Sequence, residues 1–207
     1  MTNAVARLVS TLFHPLFIPT LVLTVAYFFF PGIMGLGGAI TEVRPYVLLF
    51  ILFYTCVLPG GFILWLSKRG IITSYSLINL KDRRIPYLIT AVLYGLFAYT
   101  IYLQARIMYA TSIFLFCTAA VIFILGIISL WWQISAHAAG AGGWFGFLCI
   151  LLLFQEQPMI LPFVLSFPFI GSILSARLHL QVHTPAQVWA GFGIGALAQI
   201  VGWLFLR

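Results

Sequence analysis

Charge is the scarcest property of this sequence. Ten Lys and Arg and three Asp and Glu make up only 6% of its 207 residues. A soluble domain carries about a quarter charged residues, so a water-soluble fold is excluded. Cysteine is scarce too. Cys56, Cys117 and Cys149 are odd in number, and each lies inside an apolar run. They read as small buried hydrophobes, and a disulfide framework is excluded. No metal-binding constellation of His, Cys and acidic residues appears, and no cofactor is expected. A cleaved leader is also not expected. Arg7 precedes an apolar run, but Pro15 and Pro19 interrupt it and no small-x-small site follows Phe30.

Apolar residues make up 63% of the chain, and mean hydropathy is +1.15. The fold class that follows is all-α: a polytopic membrane bundle of six or seven transmembrane helices. Residues 1–207 form one membrane-embedded domain, with no separate soluble unit. The net charge of +7 does not signal nucleic acid. The basic residues are scattered at the ends of apolar runs, where flanking charges of membrane helices belong.

In chain order, residues 8–30 can span if kinked at His14-Pro15 and Pro19. A re-entrant or interfacial start is the alternative, because proline frees backbone groups that something must satisfy. Residues 31–45 read as a Gly-rich loop carrying Glu42 and Arg44. Residues 46–66 span, with a kink expected at Pro59-Gly60-Gly61. Residues 67–86 read as one long polar loop holding half of all Lys and Arg. Spans follow at 87–104 and at 111–132, the latter ending in the interfacial pair Trp131-Trp132. Ser135-Ala-His137 opens a helix that runs to Phe154, and Glu156 marks the far turn. Residues 158–176 return, and 185–206 cross last.

Two spans separate the basic loop from Ser135 and His137. Two more separate those from Arg177 and His183. An even number of crossings returns the chain to the same face. Lys81, Arg83, Arg84, Ser135, His137, Arg177 and His183 therefore meet at one membrane surface. Thr184-Pro185 starts a new helix there, and a helix N-terminus offers free N–H groups and a positive dipole end. Cations, imidazoles and a helix start together suit a phosphate.

These residues resemble the phosphatidic acid phosphatase type 2 superfamily, which includes vanadium haloperoxidases. That family carries Lys-x6-Arg-Pro, Pro-Ser-Gly-His and Ser-Arg-x5-His-x3-Asp. Here the third motif is Ala176-Arg177-x5-His183-x3-Gln187, and the second is Ile134-Ser135-Ala136-His137. The first has the residue types but not the spacing, in Lys81-Asp-Arg-Arg84-Ile-Pro86. The resemblance covers about residues 67–207.

It implies a membrane lipid phosphate or pyrophosphate phosphatase acting through a phosphohistidine. His183 would be the nucleophile and His137 the general acid. Arg177, Ser135, Lys81 and Arg84 would hold the phosphate. Substrates would be a lipid phosphate or an isoprenyl pyrophosphate in a lipid bilayer, and the location a bacterial inner membrane. No metal and no vanadate cofactor is implied. Three departures matter. Gln187 replaces an Asp and adds no negative charge to steady an imidazolium; the amide replacement costs about 10⁴ in a serine-protease triad. Ala136 replaces Gly and restricts the backbone. Ile134 replaces Pro. Slow or lost turnover would follow.

Other readings of the same residues stand beside this one. Thr184-Pro185-Ala186-Gln187 is a capping box. Arg177 complements a helix C-terminus and snorkels. Ser135 is a helix cap, and His14 and His179 are polar residues near helix ends. Gly191 and Gly195 form a small-xxx-small packing stripe. The alternative function is a non-catalytic lipid-phosphate-binding protein or membrane-complex subunit of the same fold, and a homo-oligomer fits either reading. Bis-histidine haem binding by His137 and His183 is a third, disfavoured by the adjacent cations. The charges do not choose an orientation once the proposed phosphate ligands are discounted.

Overall fold

The protein is described by a computed structural model covering residues 1–35, 42–75, 77, 79–104, 106–154 and 160–206. Glu156 and Arg207 lie outside the described residues. Among the described residues eight α-helices follow in order: α1 (Asn3–Leu12), α2 (Ile18–Phe29), α3 (Arg44–Lys68), α4 (Leu80–Gln104), α5 (Tyr109–Ile128), α6 (Ala136–Phe154), α7 (Ile160–His179) and α8 (Pro185–Leu206). Six of them, α3 to α8, are long and apolar enough to cross a membrane. No strand occurs among the described residues.

Residues 8–30 do not form one span. The chain breaks at His14-Pro15, and α2 has 12 residues. Its length of about 18 Å falls short of a hydrocarbon core of about 30 Å. α1 is instead an amphipathic helix capped by Thr2, whose hydroxyl accepts the Val5 N–H at 3.3 Å. Val5, Leu8 and Leu12 stay exposed on its outer side. The start is therefore broken into two short helices in place of one span.

The polar loop is shorter than its composition implies. Helix α4 begins at Leu80, so Lys81 to Pro86 are its first two turns and not loop. Pro86 lies inside the helix and leaves the Asp82 carbonyl one turn back without its helical N–H. Asp82 is buried and accepts from the Thr73 hydroxyl, which pins the connecting segment back onto α4.

In α3 the expected kink takes the form of a π-turn, Phe53–Val57, just ahead of Pro59. Pro59 has no N–H for the Thr55 carbonyl one turn back. The Tyr94 hydroxyl from α4 donates to that carbonyl at 2.7 Å. The sequence irregularity on one helix is thus met by a polar group on the next.

Helix α6 is the centre of the bundle. It packs along α8, with α7 and α2 on other sides, while α4 pairs with α5. The α6–α8 seam is built on glycine. A Cβ on Gly142 would collide with the Phe192 carbonyl, and one on Gly195 with the Ala139 carbonyl. Gly191 likewise lies against the Ser135 carbonyl. The small-residue stripe on α8 is therefore a packing stripe, with partners on α6. The three cysteines are free thiols within helices.

Candidate functional site

The even crossing count brings the polar helix ends to one place. Arg83 from α4, His137 from α6, Arg177 from α7, and His183 from the α7–α8 turn line one cavity of about 160 Å³. His14, at the α1–α2 break, lines it as well. No carboxylate is among the described residues that wall it.

The segment Gln133–Ser135 organises this cluster through its backbone. The Gln133 carbonyl lies 2.9 Å from His183 Nδ1. The Ile134 carbonyl accepts from the Arg83 guanidinium at 2.9 Å. The Ser135 N–H donates to the Gln187 carbonyl at 3.3 Å. Three consecutive residues thereby tie α4 and α8 to the start of α6. A carbonyl on Nδ1 fixes that nitrogen as the protonated one and leaves Nε2 with its lone pair.

Ser135 is fully buried and caps α6, its hydroxyl accepting the Ala138 N–H at 3.3 Å. It does not line the cavity. Gln187 forms the capping box: its Oε1 accepts the Thr184 N–H at 3.0 Å, and the Thr184 hydroxyl accepts the Gln187 N–H at 3.4 Å. Its side chain also lies near enough to His183 to favour the charged ring. Burial pushes His183 down to about 4, and Arg177 pushes it further the same way. The bond to the Gln133 carbonyl and the nearby Gln187 side chain oppose this, and Arg83 adds to it. At neutral pH the ring is uncharged.

Arg177 sits in the last turn of α7. Its Nη1 donates to the Ser10 hydroxyl at 3.1 Å, and its buried Nε has no hydrogen-bond partner. His137 Nε2 lies 3.0 Å from the Ser10 carbonyl. The His137 ring also meets His14 edge-on, with centroids 5.8 Å apart. One residue of α1 thus occupies a donor on each of two site residues. Tyr87 lies one turn along from Arg83, within electrostatic reach of both guanidiniums.

The first motif needs correction. The resemblance assigns both Lys81 and Arg84 to the phosphate, with at least one of them pointing into the site. Both are exposed and neither lines the cavity, while Arg83 between them is 6% exposed and does. Once α4 starts at Leu80, Arg83, Tyr87, Thr90 and Tyr94 share a face at i, i+4, i+7 and i+11, and all four line the cavity. That periodicity was the available signal. Ser10 and Gln133 had no such signal, because they act through the backbone or across the whole chain.

Among the described residues, no group of three His, Cys, Asp or Glu could hold a metal ion. Compared with known proteins, the chain matches no family model, no curated protein and no solved structure.

Proposed function

We propose that this chain is an integral membrane phosphohydrolase acting on a lipid phosphate or pyrophosphate, of the phosphatidic acid phosphatase type 2 kind. By that resemblance the membrane is a bacterial inner membrane. One observation carries the reading. Two arginines and three histidines converge on a cavity with no carboxylate among its described walls, and a buried guanidinium N–H there has no partner. Buried cations without counter-charge are costly unless an anion joins them. Arginine presents paired donors that fit phosphate oxygens.

The reaction runs in two steps. His183 Nε2 attacks phosphorus, the ester P–O bond breaks, and the leaving oxygen takes a proton from His137. Water then gives a proton back to His137 as it attacks the phosphohistidine, the N–P bond breaks, and inorganic phosphate leaves. Arg83 and Arg177 balance charge on the non-bridging oxygens throughout. His183 is uncharged at neutral pH, as a nucleophile must be. Gln133 takes the orienting role on Nδ1, without a negative charge.

That missing charge supports the second reading, a protein that binds a lipid phosphate without turning it over. Phosphate release from a panel of lipid phosphates, by wild type and His183→Ala, separates the two. Release that His183→Ala abolishes supports the enzyme. Phosphate protection of the arginines without release supports the binding protein. Neither release nor protection overturns both.

A further inference from the structure

The cavity does not end at its cations. Along α4 its wall runs from Arg83 to Tyr94, and along α5 it runs back from Leu125 to Phe114. Each stripe covers three helical turns, about 16 Å of bundle axis. The cationic side chains all sit at one end. The other end is closed by Gln199, whose amide nitrogen is fixed on the Phe114 carbonyl at 3.3 Å and the Thr118 hydroxyl at 3.2 Å. Between the two ends the wall is mostly hydrocarbon and aromatic, with Ile18 of α2 and Ile63 of α3 opposite the α5 residues. Gly143 of α6 lies in the wall beside Gln199: the nearest atoms to a Cβ there would be those of Gln199 and the Gly195 carbonyl, at 3.9 to 4.0 Å.

We propose that this slot takes a single hydrocarbon chain whose terminal phosphate lies at the cation cluster. The ligand class is a single-chain phosphate ester, alkyl or isoprenyl, and not a two-chain glycerophospholipid. The inference rests on the phosphate reading above and narrows it. The slot is walled by residues of α2, α3, α4, α5 and α6, and its volume of about 160 Å³ suits one slender chain better than two side by side. Gln199 acts as the stop. An amide committed to a carbonyl and a hydroxyl is a polar floor that a longer chain cannot pass without breaking buried hydrogen bonds. Lipid tails are already out of water, so the slot gains little from burial and selects by shape.

The test uses the full chain in phosphatidylcholine vesicles. Dodecyl phosphate with a terminal diazirine is added, the sample is irradiated, and the labelled residues are mapped. Label is expected on α5 near Phe114 and Thr118 and on α8 near Gln199. Gly143→Leu should lose it, because its side chain fills the slot. Gly143→Ala should keep it, because its Cβ makes only ordinary contacts. Unlabelled farnesyl phosphate and dodecyl phosphate should compete, and dioleoyl phosphatidate should not. Label spread over outward residues such as Leu96 and Phe123, or insensitivity to Gly143→Leu, overturns the slot. Competition by the two-chain lipid overturns the single-chain claim. A parallel arm asks whether inorganic phosphate shields the arginines from phenylglyoxal. Shielding without floor labelling ends this inference and leaves the phosphate site standing. Absence of shielding removes the phosphate reading and this inference with it.

Discussion

Helix α8 and helix α1 both dock on the site, and they do so in opposite ways. α8 meets α6 backbone to backbone, through glycines that leave no room for a Cβ. α1 reaches the bundle through the Ser10 carbonyl on His137, the Ser10 hydroxyl on Arg177, the buried Ala6 and, just past its end, the Phe13 ring tilted against Trp144 and Phe169. Its outer face stays exposed. The first contact cannot slide or loosen without a large cost, so it fixes where His137 and His183 stand. The second has no glycine seam, and its polar contacts to the site can be replaced one by one. A site for a charged ligand needs both: a frame that holds the donors, and a neighbour that can yield them.

The frame gives the largest expected effect. Gly195→Ala drives a Cβ into the Ala139 carbonyl and forces α6 and α8 apart. Stability should fall by about 3 kcal/mol or more. Gly193→Ala, on the same helix with nothing within 4 Å, should change it by less than about 0.5 kcal/mol. Thermal unfolding in one detergent compares the pair. Equal melting temperatures would mean the seam is not close-packed.

Arg83 comes next. It donates to the Leu77 carbonyl at 2.7 Å and the Ile134 carbonyl at 2.9 Å. Arg83→Gln should cost about 2 kcal/mol, the scale of a lost hydrogen bond to a charged group, and should abolish phosphate protection of the remaining site arginine. Arg84→Gln, one residue on and exposed, should do neither. A matched loss in both variants would return the first motif to its sequence-based assignment.

That pair also marks the limit of what the sequence reveals. The six long spans were legible, because hydropathy over about 20 residues is a strong signal. The convergence of Arg177, His137 and His183 followed from counting crossings. The start of α4 was not legible. Leu80 to Pro86 is as polar as the loop before it, and composition does not separate a polar first turn from a connector. Choosing Arg83 over Lys81 and Arg84 needs that start, since one residue of register turns a side chain by about 100°. The Ser10 contacts span 127 and 167 residues and leave no local trace.

The pH response isolates His183. Its ring is held at about 4, below the ordinary 6.5. The unfolded chain binds this proton first as pH falls. The stability due to the uncharged ring is therefore complete above 6.5 and is lost as pH drops through 4. The loss should be on the order of 2 kcal/mol, and His183→Asn should flatten that window. Phosphate release, if it needs the neutral ring, should hold down to about pH 5 and then fall. A midpoint near 6.5 for either signal would mean the ring is solvated.

The smallest effect belongs to α1. Ser10→Ala removes the hydroxyl that holds Arg177 Nη1 but leaves the backbone carbonyl on His137. The cost to stability should be about 1 kcal/mol, the net value of one hydrogen bond. Its effect on the proposed phosphate site should have the opposite sign. The Arg177 Nη1 is then released from Ser10, alongside the already unpartnered Nε, and an incoming anion no longer has to displace a protein oxygen. Inorganic phosphate should protect Arg177 from phenylglyoxal at a concentration roughly five- to tenfold lower than in wild type, the equivalent of about 1 kcal/mol returned to binding. Ser10→Thr keeps the hydroxyl and should behave as wild type. If Ser10→Ala instead weakens protection, then Ser10 stays in place as a ligand when the anion binds, and α1 is part of the frame after all.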